Sequence, residues 1–268
     1  MGDFQTVGTA RPVAIPFEKG WGKGVATFLT GVHDGTIRLR GKRHPDLRTL
    51  DGVVVMGGWA EDEECRAALA NSPFPVQFAD RPRTAALDAL PFFGDPDSTL
   101  VCDVGKTFFK IRFRSVTKLF ARNFTTFPFP TLLGAAARQQ ARKCLRDFLL
   151  TKIQAVVAEA GGFPETVAVA LPCVISGKGI PTGEPFLGMR DWDTLATDLF
   201  YGSRLRPKKV LLLNNAELAG LASLRQPDMA SYGSSLVMSW GYAVGLCRVS
   251  PVVLPIRTAA PSKPKARV

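Results

Sequence analysis

Histidine is scarce in this 268-residue chain, which has two, His33 and His44. The five cysteines, Cys65, Cys102, Cys144, Cys173 and Cys247, stand far apart, with no Cys-x-x-Cys pair among them. That pattern argues against a structural zinc site and against a disulfide framework. Several of these cysteines lie in apolar runs, as reduced, buried thiols do in cytoplasmic proteins. No uncharged apolar run approaches the ~20 residues that a membrane span requires. The opening MGDFQTVGTARP has no basic segment followed by an apolar one, so it does not have the form of a signal peptide. These absences lead to the expectation of a soluble, cytoplasmic protein with no membrane partner.

Positive charge is abundant. The formal net charge is +11, which favours an acidic partner such as nucleic acid, an anionic surface or a small phosphorylated ligand. Part of the excess sits in the tail Ser262-Lys263-Pro264-Lys265-Ala266-Arg267, and the chain stays basic without it. The length suits one large domain or two lobes of ordinary size. Glycine and proline are scattered rather than periodic, as in a globular chain.

Short strands are expected near residues 25–29 and 36–39. A β-branched run at residues 52–56 ends in Gly57-Gly58-Trp59 and leads into the acidic, helix-prone AEDEECRAALAN. A strand–glycine–helix turn of this kind lets a ligand approach the backbone closely. The proline-rich passage that follows predicts irregular structure with one short strand at 76–78. Residues 99–126 then read as an antiparallel meander, with strands at 99–102, 108–116 and 118–125. In the second strand Phe109, Ile111 and Phe113 alternate with Lys110, Arg112 and Arg114. A long amphipathic helix is expected over 134–160, stopped by Gly161-Gly162. Beyond it come a buried strand at 166–171, a glycine-rich loop at 174–190 and a short helix at 191–200. A strand at 209–213, a helix over AELAGLASL and a hairpin from 235 to 249 around Gly241 complete the pattern. Hairpin strands followed by helix, strand, helix, strand make an α/β architecture with mixed sheets.

The chemistry concentrates in Asp103-Val104-Gly105-Lys106-Thr107-Phe108-Phe109-Lys110. A strand delivers a carboxylate to the mouth of a tight glycine turn, whose N–H groups and Thr107 hydroxyl suit phosphate oxygens. Asp103 suits magnesium held through water, and Lys106 or Lys110 suits phosphate charge. An ordinary hairpin with an Asp–Gly turn explains the spacing equally well.

This stretch resembles the phosphate-1 motif, DxGxTxxK, of the actin-like ATPases and of the ROK-type sugar kinases among them. TVAVALP at 166–172, KVLLLNNAELAGLA at 209–222 and SLVMSWGYAVG at 235–245 resemble, in order, later segments of the same family. The last of these is similar to its second phosphate hairpin. The resemblance implies a two-lobed α/β fold with ribonuclease-H-like lobes, mixed sheets and a nucleotide cleft between them. It also implies ATP and magnesium as cofactors, with Asp103 organising the metal. Gly105, Lys106, Thr107, Lys110 and Gly241 would hold phosphates, and Gly57 and Gly58 would lie near the adenosine. Asn214, Ser176, Gly177 and Glu184 would face a small sugar-like substrate. The resemblance leaves a homodimer open.

In the family the adenosine-contacting element follows the second phosphate hairpin. Here the segment resembling it, DGVVVMGGWAEDEECRAAL at 51–69, precedes the first hairpin. A circular permutation accounts for that order. Residues 1–98 and 230–268 would then belong to the second lobe and 99–229 to the first; termini near one another at a surface make such rearrangement easy. The simpler alternative is an unrelated module at 1–98.

Departures from the family weigh on activity. Asn215 stands where the family has the aspartate that takes the proton from the sugar hydroxyl, and an amide cannot take it. Losing a general base costs roughly 10²–10⁴-fold in rate. If the base alone were missing, Asn215→Asp would raise activity. Asp191, Asp193 and Glu217 are the candidate carboxylates to substitute, and a solvated acid at a helix start explains each as well. Trp240 and Tyr242 flank Gly241 where small residues are usual, a third glycine is missing after Gly58, and the family's Cys-rich zinc motif is absent. The reading is an ATP- and magnesium-dependent phosphotransferase acting on a sugar-like hydroxyl. The alternatives are a catalytically silent relative that binds nucleotide or sugar, and a basic nucleic-acid-binding protein using the Lys110, Arg112, Arg114, Lys118, Arg122 stripe. The aromatic residues of that strand lie on its opposite face, which favours a solvated sheet face over a nucleic-acid platform. His33-Asp34 suggests acid–base chemistry no more than an exposed loop histidine would.

Overall fold

The computed structural model describes residues 21–36, 50–105, 107–121, 135–176, 180–182, 192–201, 203–226, 233–241 and 244–249. Those residues form a mixed α/β structure built on two mixed sheets. The four-stranded sheet has the order β11-β10-β1-β2 and the five-stranded sheet β5-β4-β3-β6-β9. The strands are β1 Gly52–Met56, β2 Val76–Phe78, β3 Thr99–Val104, β4 Phe108–Phe113, β5 Val116–Ala121, β6 Thr166–Leu171, β9 Lys209–Asn214, β10 Ser235–Trp240 and β11 Val244–Val249. A two-residue pair, β7 Val174–Ile175 with β8 Pro181–Thr182, stands apart inside the expected loop.

Both sheets share a plan. In the five-stranded sheet β3 pairs antiparallel with β4 and parallel with β6, which pairs parallel with β9. In the four-stranded sheet β10 pairs antiparallel with β11 and parallel with β1, which pairs parallel with β2. The first strand of a hairpin is thus followed sideways by two parallel strands in each case. The four-stranded sheet draws these strands from opposite ends of the chain, with Gly52 beside Ser235 and Met56 beside Ser239.

Period-two alternation sorts side chains into three cores. Helices α1 (Trp21–His33) and α2 (Glu63–Leu69) cover the outer face of the four-stranded sheet through Val53, Val55, Leu236, Met238 and Trp240. Helix α3 (Ala135–Ala160) covers the outer face of the five-stranded sheet through Leu100, Cys102, Phe109, Ile111 and Val169. Between the sheets lie a 3₁₀ helix, Ala85–Phe92, and helix α4, Asn215–Ser223. They meet Val54, Met56 and Val237 from one side and Val101, Ala168 and Ala170 from the other. The inner faces use small residues where the helix presses close. A Cβ added at Gly220 would lie 2.8 Å from the Cys247 sulfur, and one at Gly245 would lie 3.2 Å from the Ala216 Cβ.

Several expectations need correction. Residues 25–29 are helical, because Val25, Phe28, Leu29 and Val32 recur at i, i+3, i+4 and i+7 and bury one face of α1. Residues 36–39 reach beyond the described residues. The proline-rich passage contains the 3₁₀ helix, with Pro91 inside it and Ala85, Ala86, Leu87, Ala89 and Leu90 buried. The second meander strand ends at Phe113, because the chain reverses through Arg114 at φ 54°, and Val116 already begins β5. Strand 5 is described to Ala121. No helix among the described residues is long and apolar enough to cross a membrane.

Burial holds most of the thiols protonated. It pushes Cys173 and Cys247 up to about 12, Glu217 adding to the effect at Cys247, and with Asp103 beside it raises Cys102 well above the ordinary thiol value. Burial, with the Asp62 and Glu64 carboxylates beside it, also takes Cys65 to about 12. Cys144 is half-buried on α3. A chromogenic disulfide reagent at pH 8 is therefore expected to titrate Cys144 first in the native protein. The other four should react only after denaturation, and fast reaction of two or more thiols would contradict this packing.

Candidate functional site

The carboxyl ends of the parallel strands are where open α/β sheets place ligands, and the candidate residues lie there. Asp103 is the penultimate residue of β3, Asn214 ends β9, Trp240 ends β10, and Gly57 follows β1. Asp103 shares the inner sheet face with Val101, so its carboxylate points to the α4 layer and is buried.

Two partners hold that carboxylate. Lys110, opposite it in the β3–β4 register, places Nζ 2.5 Å from Asp103 Oδ2. The Asn215 amide Nδ2 donates to Asp103 Oδ1 and, at 3.3 Å, to the Val104 carbonyl. Both acceptors are oxygens without protons, which fixes the orientation of the amide. The two charges are nearly enclosed, at 13% and 5% side-chain exposure. Removing one partner from such a pair typically costs about 3–5 kcal/mol, because an uncompensated buried charge remains. Asn215 Oδ1 is itself buried and has no hydrogen-bond partner.

Asn215 is thus a donor to Asp103, which changes what a substitution there would do. An aspartate at 215 would face the Asp103 carboxylate across a hydrogen-bond distance. The expectation that a carboxylate here simply restores a base does not follow from this geometry.

Asn214 is occupied as well. Its Oδ1 caps Ala216 N at 2.8 Å, and its Nδ2 donates to the Cys173 carbonyl at 2.8 Å and to Leu171 O at 3.4 Å. It welds the start of α4 to the end of β6 and has little left for a substrate. Glu217 completes the capping box by accepting from Asn214 N at 2.8 Å.

The glycine turns fall into place around Asp103. Gly105 donates its N–H to the Phe108 carbonyl at 2.9 Å, and a Cβ there would lie 2.7 Å from that oxygen. Thr107 is exposed at the tip of this turn. Gly57 takes φ 105° and runs so close to Trp240 that a Cβ would lie 2.3 Å from its carbonyl oxygen. Gly57, Gly58 and Gly241 are therefore neighbours although far apart in sequence, and nothing lies within 4 Å of a Cβ position on Gly241. Ser176 turns inward, its hydroxyl accepting from Ile180 N at 3.1 Å. Asp193 is exposed beside Trp192, which belongs to the core on the α3 face, so no described contact joins it to Asp103. Lys106, Gly177, Glu184 and Asp191 lie outside the described residues.

The basic stripe is paired where it is described, although the Arg112 and Lys118 side chains stay 36% and 41% exposed; Arg122 lies outside the described residues. Lys110 holds Asp103, Arg112 holds Asp88 at 2.6 Å, and Arg114 donates to the carbonyls of Asp97, Ala160 and Gly161. Lys118 pairs with Glu159 at 2.7 Å. His33 ends α1, exposed, with its ring edge-on to Phe74 at 5.5 Å. A separate open cavity of about 730 Å³ lies along α3, lined by Arg138, Arg142, Arg146, Trp192 and Asp198. None of the Asp103 cluster lines it.

Sequence reasoning missed Arg83. It stands in the turn after β2, pairs with Glu61 at 2.8 Å and lies over the Phe108 ring at 5.3 Å. Two arginines flanking Pro82 gave no signal of this.

No protein-family model matches the chain, and no curated protein matches it.

Asn215→Asp is expected to lower stability at pH 7 by about 1–3 kcal/mol, because a donor to a buried carboxylate becomes a second carboxylate. The deficit should shrink as the pH falls, since a proton shared between facing carboxyls relieves their repulsion. Urea denaturation of both proteins at several pH values measures it; an equal or higher stability of the variant at pH 7 would contradict the contact.

Proposed function

We propose that this chain is a circularly permuted, two-lobed relative of the actin-like ATPases, of the sugar-kinase kind. It binds ATP with magnesium between its two sheets and transfers a phosphoryl group to a hydroxyl of a sugar-like molecule. The observation that carries this reading is the setting of Asp103. It sits at the mouth of the Gly105 turn and beside the start of α4, which packs on the hairpin bearing Gly241. The shared sheet plan supports it. In the five-stranded sheet a meander, a helix and parallel strands follow as a ribonuclease-H-like lobe implies, and counting from β10 through β11 to β1 and β2 repeats the plan. That count is the one a permutation implies.

The Gly105 and Gly241 turns let phosphate oxygens approach backbone N–H groups. Gly57 and Gly58 receive the adenosine end. Asp103 is a single carboxylate already carrying Lys110, and the described residues contain no cluster of three metal-ligating side chains. That donor set fits a magnesium ion that arrives with its phosphates and is held by Asp103 through water. Bound there, the metal would neutralise developing phosphate charge. The acceptor hydroxyl approaches Asn215, whose unpartnered Oδ1 takes its hydrogen bond and orients it.

A second reading, binding without transfer, is favoured by one observation. The Asn215 amide is committed to Asp103 and cannot remove a proton. Glu217 is likewise committed to its cap.

Titration calorimetry with Mg-ATP, followed by phosphate-transfer assays over a panel of sugars, tests both. Binding with turnover is the expected result of the first reading, and binding without turnover of the second. Absence of binding at millimolar nucleotide would overturn both.

A further inference from the structure

We infer that Arg83 is a phosphate-binding residue of the cleft, held by Glu61 until a ligand arrives; this rests on the nucleotide reading above. The turn carrying Arg83 is fixed to the four-stranded sheet, because Gly57 N donates to the Pro82 carbonyl at 2.8 Å. The Arg83 Nε then lies 3.9 Å from a Cβ position on Gly58. Its guanidinium reaches across to the other sheet, 5.3 Å from the ring of Phe108, whose carbonyl closes the Gly105 turn. Arg83 therefore spans the gap between the Gly57-Gly58 turn and the 103–110 hairpin.

Its hydrogen bonding is incomplete in a telling way. Nε is buried and has no partner, while the terminal nitrogen pairs with Glu61 at 2.8 Å. A buried N–H without an acceptor is unfavourable, and a ligand oxygen would relieve it. The Glu61 pair is half-exposed, 39% on each side, so it is weak and readily exchanged. Nε and a terminal nitrogen together form the planar fork that matches two phosphate oxygens. Lys110 and Arg112, the neighbouring cations on β4, are held by Asp103 and Asp88 in more enclosed pairs.

The test measures Mg-ATP, inorganic pyrophosphate and adenosine binding to the full chain and to Arg83→Ala, Arg83→Lys and Glu61→Gln. Arg83→Ala is expected to weaken Mg-ATP and pyrophosphate by about ten- to hundredfold, the range of a charge-assisted hydrogen bond, and to leave adenosine unchanged. Arg83→Lys keeps the charge and loses the fork, so it should weaken both phosphate ligands by less; it also serves if the alanine variant does not fold. Glu61→Gln should tighten both. Unchanged phosphate binding in both Arg83 variants would overturn the inference, as would a loss in Glu61→Gln equal to that in Arg83→Ala, which marks a structural pair. Pyrophosphate binding that needs Arg83, in a chain that ignores ATP, would support Arg83 and overturn the nucleotide reading. A chain that binds neither phosphate ligand overturns both.

Discussion

A helix packed between two sheets keeps little solvent face, and that constraint organises this protein. Helix α4 buries Ala216, Leu218, Ala219, Gly220, Ala222 and Ser223 in nine residues. Beyond Asn215 at its start, only Glu217 and Leu221 stay half-buried, so the helix packs on nearly every side. Small residues let the backbones close in, with Gly220 against Cys247 and Gly245 against Ala216. Once α4 is clamped, its first residue has one place to go. Asn215 meets the end of β3, and the Asp103 carboxylate is held between that amide and Lys110. The polar cluster follows from the apolar packing around it.

The same clamp relates distant parts of the chain. The four-stranded sheet joins β1 and β2 to β10 and β11, so Gly57 comes against Trp240 only when β1 and β10 have paired. Parallel pairings of such long sequence separation carry a large loop-closure cost. The run of buried β-branched residues Val53, Val54 and Val55 on the central strand is what offsets it.

Much of this layout was legible in the sequence. The strands at 52–56, 76–78 and 166–171 are bounded by glycine or proline and carry unbroken or alternating β-branched patterns, so their limits match the structure. Gly161-Gly162 stops α3 with positive φ at both residues, as the composition implies. Helix α1 was obscured by Gly22, Gly24 and Gly31, which hid the spacing of Val25, Phe28, Leu29 and Val32. The 3₁₀ helix was hidden by Pro91 within it and by the prolines that surround it. Within the site, the Asp103–Lys110 register follows from hairpin geometry. The Asn215–Asp103 bond spans 112 residues, so only the packing of α4 reveals that the amide is a donor and not merely a lost base. Arg83 was invisible for the same reason, since both Gly58 and Phe108 reach it through tertiary contacts.

The central claim is that phosphate-bearing ligands bind between the two sheets, at the turns around Asp103. Hydrogen-exchange mass spectrometry with and without Mg-ATP tests it directly, because each turn reports separately. The account predicts new protection in peptides covering residues 57–62, 103–110 and 240–245 together, with little change along α3. Protection confined to α3 and the Trp192 cavity, or no protection at saturating nucleotide, would contradict it.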